Sequence, residues 1–257
     1  MIKFLKKFLQ KPSLLTDYAG KTDIGRVRTN NEDCFSVLEG KDIFIVADGM
    51  GGHKAGEIAS RTAVEIMRRH YSRKVVDGMR GNKEETRHTM ISSFELANKT
   101  IIDLASEDDD LEGMGCTMVM VFFDNNILHT CHVGDARCYR AGVNGLTQIT
   151  NDHTTLMEMQ RAASQEKAPP DPKQSRHVVT RVIGYPFPEP PEYHNIKLNE
   201  GDRILLCSDG LWSMLDDEKI YNTVIDSESP SALVEKLVDL ANAAGGNDNI
   251  TALTVFC

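Results

Sequence analysis

Short apolar runs alternate with polar turn clusters along this chain, and the runs themselves end in acids. Ile43-Phe44-Ile45-Val46-Ala47 leads directly into Asp48-Gly49, and Ile204-Leu205-Leu206-Cys207 leads through Ser208 into Asp209-Gly210. The reverse arrangement occurs at the C-terminus, where Asp248-Asn249 precedes Ile250-Thr251-Ala252-Leu253-Thr254-Val255-Phe256. Short, partly β-branched apolar runs bounded by Gly or Asn predict buried strands. The same pattern predicts strands at residues 117–123, 127–133, 137–140 and 193–198, with a turn at Asp124-Asn125-Asn126. Glu39-Gly40-Lys41-Asp42 predicts a hairpin turn inside residues 37–47.

Helical periodicity appears in separate blocks. Ile58, Ala59, Ala63, Ile66 and Met67 share one face of a predicted helix over residues 55–75. Ile91, Phe94, Ala97, Ile101 and Leu104 do the same over 84–106, and a late helix is predicted over 231–243. Asp77-Gly78 through Gly81-Asn82 carries loop signals between the first two helices, and residues 107–110 form an acidic loop. Residues 151–180, with Pro169-Pro170-Asp171-Pro172, read as an excursion off the sheet. Consecutive strands with short turns imply antiparallel pairing, and helices in blocks imply a layered α+β domain.

Composition narrows the function classes. The 257 residues include 40% hydrophobic and 26% charged residues, which argues against wholesale disorder. A net charge of −9 makes a poor general binder of nucleic acid. The six cysteines form no Cys-x-x-Cys pair and sit mostly in apolar runs, so neither zinc nor a disulfide framework is expected and a reducing cytoplasm fits. No run of about eighteen apolar residues predicts a membrane-spanning helix. The first fifteen residues stand apart: Ile2, Phe4, Leu5, Phe8 and Leu9 recur at near-helical spacing among Lys3, Lys6, Lys7 and Lys11. A helix lying on an anionic membrane or a partner is one reading, and a helix packed on its own domain is the other.

The acids carry the chemistry. A carboxylate at the end of a buried strand is rigidly held, and several converging ones repel each other unless a hard divalent cation offsets the charge. Asp48-Gly49-Met50-Gly51-Gly52-His53 is the strongest local motif. A phosphate-cradling loop is its rival, but the Gly-Lys-Ser/Thr ending is missing and the leading carboxylate disfavours an anion. The Gly49 carbonyl is a further oxygen for a cation. Glu32 and Asp33 precede a strand and, if extended, point to opposite sides, so that one reaches a metal while the other orients a water. Arg28 offers a planar fork for phosphate. Asp135, in Val133-Gly134-Asp135-Ala136-Arg137, is either another ligand or a turn residue paired with Arg137.

Taken in order, these motifs resemble the metal-dependent protein phosphatases of the type 2C class in their bacterial form. The resemblance runs from about Ala19 to Phe256 and includes Gly115-Cys116-Thr117, Val179-Thr180-Arg181-Val182-Ile183-Gly184 and Ser208-Asp209-Gly210-Leu211-Trp212. It implies a four-layer α-β-β-α sandwich, two mainly antiparallel sheets flanked by helix pairs, with residues 17–257 as one catalytic domain behind the 1–16 segment. It implies a phosphoserine/phosphothreonine protein phosphatase that uses two Mn²⁺ or Mg²⁺ ions and a weaker third, and attacks phosphorus with a bridging water and no phosphoenzyme. By the same resemblance Asp48 bridges the ions, Asp209 and Asp248 complete one, Glu32 and the Gly49 carbonyl serve the other, and Asp135 holds the third. Asp33 joins the water network and Arg28 holds the phosphate. Residues 151–180 match the family's flap. Implied partners are phosphorylated proteins and a cognate Ser/Thr kinase in the cytoplasm, with the inner membrane face as an address for residues 1–15.

Two positions depart from relatives: Met50 replaces the His that animal members place after the first Asp-Gly, and Ser213 replaces an Asp that assists the third metal. His53 is an alternative proton donor to the leaving group, with helix capping as its structural reading. The other histidines (70, 88, 129, 132, 153, 177 and 194) show no ligand spacing, so structural roles are expected for them, and core positions for Trp212 and Met214. A small-ester phosphohydrolase, a catalytically weak phosphoprotein-binding scaffold and a calcium-binding domain are the rival classes. A scaffold predicts lost carboxylates, and a calcium module predicts a compact looped ligand set; this chain has neither feature.

Overall fold

Alternation of side chains on two facing sheets explains why the central runs are apolar throughout. The computed structural model describes residues 17–51, 55–157, 159 and 178–257. The N-terminal segment, His53 and most of the predicted flap lie outside those residues. One sheet has the order β1 (Asp17–Asp23), β10 (Ile250–Phe256), β9 (Arg203–Cys207), β6 (Arg137–Gly142), β7 (Gly145–Gln148). The other has the order β2 (Asp33–Leu38), β3 (Ile43–Met50), β4 (Gly115–Asp124), β5 (Ile127–Val133), β8 (Glu192–Lys197). Every strand pairing is antiparallel, as expected.

On β3, Ile43, Ile45 and Ala47 face a core under the helices, while Phe44 and Val46 face the opposite sheet. On the other sheet, Ile204, Leu206, Leu253 and Val255 meet them in the inter-sheet core. The first helical layer, α1 (Ala55–His70), α2 (Arg73–Met79) and α3 (Lys83–Glu107), covers the β3 sheet. The second, α4 (Asp209–Trp212), α5 (Asp217–Asp226) and α6 (Pro230–Ala243), covers the β10 sheet. The expected α-β-β-α layering is therefore present.

Several boundaries differ from expectation. The helix predicted over 55–75 ends at His70, because Ser72 turns out of the helix and its hydroxyl caps the new start at α2. Asp77-Gly78 lies inside α2, and Gly81, at φ +71°, makes the turn with Asn82 capping α3. Ile58, expected to face inward, is 37% exposed. The strands β1 and β7 and the helices α4 and α5 were not anticipated: β1 is a half-exposed edge strand without an apolar run, and α4 is a single turn. All six cysteines are free thiols. Among the described residues, no helix is long and apolar enough to cross a membrane.

Candidate metal and phosphate site

The alternation that builds the core also points the acids inward at one end of the sandwich. Asp48 follows Phe44 and Val46 on the inter-sheet face, and Asp33 is its direct partner across the β2–β3 ladder. From the other sheet, the Ser208 hydroxyl (2.7 Å) and the Thr251 hydroxyl (2.6 Å) donate to Asp33 Oδ2. Both donors are fully buried, so Asp33 joins the sheets where the apolar core stops.

The two Asp-Gly pairs differ in backbone but share a packing requirement. β3 does not stop at Ala47 as the apolar run suggests; it continues through Asp48 and Gly49 to Met50, whereas β9 stops at Cys207 and Asp209 opens α4. In both pairs the glycine allows a close backbone approach. A Cβ on Gly49 would lie 2.1 Å from the Gly56 carbonyl oxygen, and one on Gly210 would lie 2.1 Å from the Asn249 carbonyl oxygen. Glycine is required there by space.

Glu32 is fixed through its backbone. Its N–H donates to Asn249 Oδ1 at 2.8 Å, and its carbonyl accepts from Gly49 N–H and the Ser60 hydroxyl. Its carboxylate lies against Gly56, where a Cβ would come within 2.4 Å of Oε2. Asn249 also donates from Nδ2 to the carbonyls of Ile24 and Asn30, tying the β1–β2 loop at three points to the loop that precedes β10. The exposed Arg28 reaches Asp248 Oδ2 at 2.6 Å. Asp135 is buried beside the cluster, and its carbonyl accepts from the Trp212 indole at 3.0 Å. The sequence reading that paired Asp135 with Arg137 is not what forms: Arg137 makes a forked pair with Asp152 instead.

The electrostatics of this cluster are those of a site missing positive charge. Burial and then the charges of Asp33, Asp209, Asp135 and Asp248 hold the Asp48 carboxyl well above its ordinary range. Burial raises Asp33 to about 7 despite its two hydroxyl donors, and burial with the Asp209 charge raises Asp135 to about 7. Asp209 is raised by burial and Asp248, and Glu32 is raised by burial although Arg28 opposes it. Among the described residues, two carboxylate oxygens of this cluster, Asp33 Oδ1 and Asp209 Oδ1, are buried without a hydrogen-bond partner. Crowded all-oxygen donors, two of them without partners, fit hard divalent cations such as Mn²⁺ and Mg²⁺. A cleft of about 710 Å³ between edge strands β1 and β2 reaches Asp33 from the side but touches none of Glu32, Asp48, Asp209 and Asp248. The site is thus the acid-lined end of the sandwich.

All eight residues singled out in the sequence (Arg28, Glu32, Asp33, Asp48, Gly49, Asp135, Asp209 and Asp248) lie at or beside this end. The supporting residues were less visible. Ser208 and Thr251 look like ordinary strand-end residues, and their link to Asp33 exists only across the sheets. Trp212 packs against the second core but also uses its N–H. His132, His153 and Glu192 come together with ligand-type atoms within 4.8 Å of each other, although no sequence spacing suggests it.

A family model described as protein phosphatase 2C matches residues 20–252. The chain is 34% identical over 240 residues to a serine/threonine phosphatase stp of Listeria welshimeri, covering 91% of this chain and 93% of that protein. It superposes on the Mycobacterium tuberculosis serine/threonine phosphatase PstP/Ppp with a TM-score of 0.79 and 31% identity, covering 93% and 97% of the two chains. A structure of the catalytic domain of PstP in complex with two manganese ions gives a TM-score of 0.78 at 31% identity, covering 94% and 98%.

Proposed function

The chain belongs to the protein phosphatase 2C family, and on that premise we propose how its own residues perform the reaction. It is a metal-dependent serine/threonine protein phosphatase, and its substrates are phosphoproteins. The observation that carries the residue assignment is the convergence of Asp33, Asp48, Asp209 and Asp248, with two buried carboxylate oxygens that find no partner among the described residues.

In this reading Asp48, Asp209 and Asp248 would hold one divalent ion, and Asp48 with Glu32 and the Gly49 carbonyl would hold the second. The bound ions supply neutralisation of the phosphate charge and a water acidic enough to act as nucleophile near neutral pH. Asp33, anchored through Oδ2 by Ser208 and Thr251, has Oδ1 left to orient that water and take up its proton. Arg28 begins on Asp248. Its planar fork is suited to grip the substrate phosphate in two places, with Asp248 then left free as a ligand. Asp135 would hold a third, weaker ion, and the exposed Ser213 offers a hydroxyl where relatives place a carboxylate.

Residues 17–257 act as one catalytic domain, and residues 151–180 serve it as the flap that the family resemblance implies. A Ser/Thr kinase supplies the phosphoproteins, and the basic segment 1–16 brings the enzyme to a partner or to the inner face of the membrane from the cytoplasm. Turnover of a phosphothreonine peptide with Mn²⁺, with chelator, and in Asp209→Asn tests the mechanism. Metal-free turnover, or full activity in the variant, contradicts it. Loss of anionic-vesicle binding on removing residues 1–15, with peptide turnover unchanged, tests the N-terminal role.

A further inference from the structure

His153 is buried, and every hydrogen-bonding group it has is engaged. Its backbone N–H donates to the Gly134 carbonyl at 3.0 Å, and Nδ1 accepts from the Gly134 N–H at 3.1 Å. Both sides of the glycine that precedes Asp135 are therefore clamped by one residue. Because Nδ1 accepts, Nε2 carries the proton, and it donates to Glu192 Oε2 at 3.0 Å. Burial works against an ionised Glu192, but hydrogen bonds from His153, His194 and Asn151 outweigh it and hold the carboxyl well below its usual range. The His153 carbonyl accepts from Thr180 N–H, which roots the far end of the 151–180 segment on the same residue.

These bonds argue against the cluster as a metal centre. A cation on His153 Nε2 would force a proton onto Nδ1, facing the Gly134 N–H. His132 gives Nε2 to the Asn151 carbonyl at 2.8 Å and has only Nδ1 left, so the geometry against a metal rests on His153. The cluster is aimed instead at the Gly134 turn. That turn has no slack: Gly134 is at φ +97°, and a Cβ there would lie 2.3 Å from the Cβ of Thr117, the β4 partner of Asp48. On its far side, the Asp135 carbonyl is held by Trp212, whose ring stacks under Arg137 at 3.7 Å.

We propose that His153, braced by Glu192, is a positioning residue that sets the Gly134-Asp135 turn and thereby the affinity of Asp135 for the outer cation. The proposal rests on the reading of Asp135 as a ligand. Trp212 is the only tryptophan in the chain and bonds to Asp135 itself, so its fluorescence during Mn²⁺ or Mg²⁺ titration reports the turn without turnover. In the wild type a weak-affinity phase is expected, and Asp135→Asn removes it. If Asp135→Asn leaves that phase unchanged, the ligand reading fails and this inference with it. His153→Gln keeps a donor toward Glu192 but loses the acceptor for Gly134, and should move the weak phase to about ten- to a hundredfold higher metal. His153→Asn places its amide oxygen where Nδ1 was and should stay within about threefold of wild type by the same reasoning. If Asp135→Asn abolishes the phase while folded His153→Gln leaves it in place, the proposal is overturned. Should His153→Gln fail to fold, Glu192→Gln carries the test, and an unmoved phase in that variant overturns it equally.

Discussion

Asp33 and Asp48 stand directly opposite each other across the β2–β3 ladder, on the face that looks toward the other sheet. Like charges in that relation are destabilising. The fold tolerates them because Ser208 and Thr251 reach across to Asp33 and because the site is built to take up positive charge.

Removing one hydroxyl tests the first support. Thr251 is fully buried, and its hydroxyl also bonds the Thr22 hydroxyl at 2.8 Å. Thr251→Val should lower unfolding free energy by about 1–3 kcal/mol, measured by urea titration, and reduce kcat with little change in KM. Asp33→Asn, which cannot accept a proton in the same way, should reduce kcat by about 10²–10⁴-fold while still binding Mn²⁺.

Metal removal should expose the repulsion as a pH effect. Asp33 and Asp135 are raised from 3.8 to about 7 in the folded metal-free protein. The folded state then binds more protons than the unfolded one between those values, so its stability is full at the acid end and falls as pH rises through about 7. Buried histidines act oppositely: His132 is pushed down to about 3 from 6.5, so its contribution grows with pH and is complete above about 6.5. Melting in chelator from pH 6.5 to 8 isolates the carboxylates. Tm should fall across that window, and saturating Mn²⁺ should remove the fall; a Tm in chelator that rises with pH contradicts the account.

Gly210 should reverse the usual helix rule. Ala is normally favoured over Gly inside a helix by about 1 kcal/mol. In α4 a Cβ meets the Asn249 carbonyl at 2.1 Å, so Gly210→Ala should destabilise by about 1–3 kcal/mol instead and weaken metal binding. Unfolding titration with Mn²⁺ calorimetry checks both.

Asn249 is the knot of the site. Asn249→Ala strands the Glu32 N–H and the carbonyls of Ile24 and Asn30. We expect a loss of about 1–3 kcal/mol or more in stability and a larger loss of Mn²⁺ affinity than of affinity for phosphopeptide at saturating metal. Equal loss in both would separate Asn249 from the proposed metal role of Glu32.

The central strands and their terminal acids are legible in the sequence because both faces of β3, β4 and β10 are buried and their ends are glycine or asparagine. Arg28 and Glu32 are legible through their order relative to those acids. The half-exposed edge strand β1 is not, since Asp-Tyr-Ala-Gly-Lys-Thr-Asp carries no apolar alternation. Nor are the pairs made across the sandwich: Asp33 and Thr251 are 218 positions apart, and nothing local to Asp152 marks it as the partner of Arg137. His153 shows the limit most clearly, because its role depends on which ring nitrogen faces Gly134.

Asp48 is proposed as the shared carboxylate of a two-ion site. That role is tested most directly by counting bound Mn²⁺ per chain by equilibrium dialysis, in wild type and in Asp48→Asn, alongside phosphothreonine-peptide turnover. The account predicts two tightly held ions in the wild type, and in a variant that still melts cooperatively it predicts loss of tight binding at both positions together with turnover. A folded Asp48→Asn protein that retains two tight ions, or that turns over peptide at the wild-type rate, would contradict it.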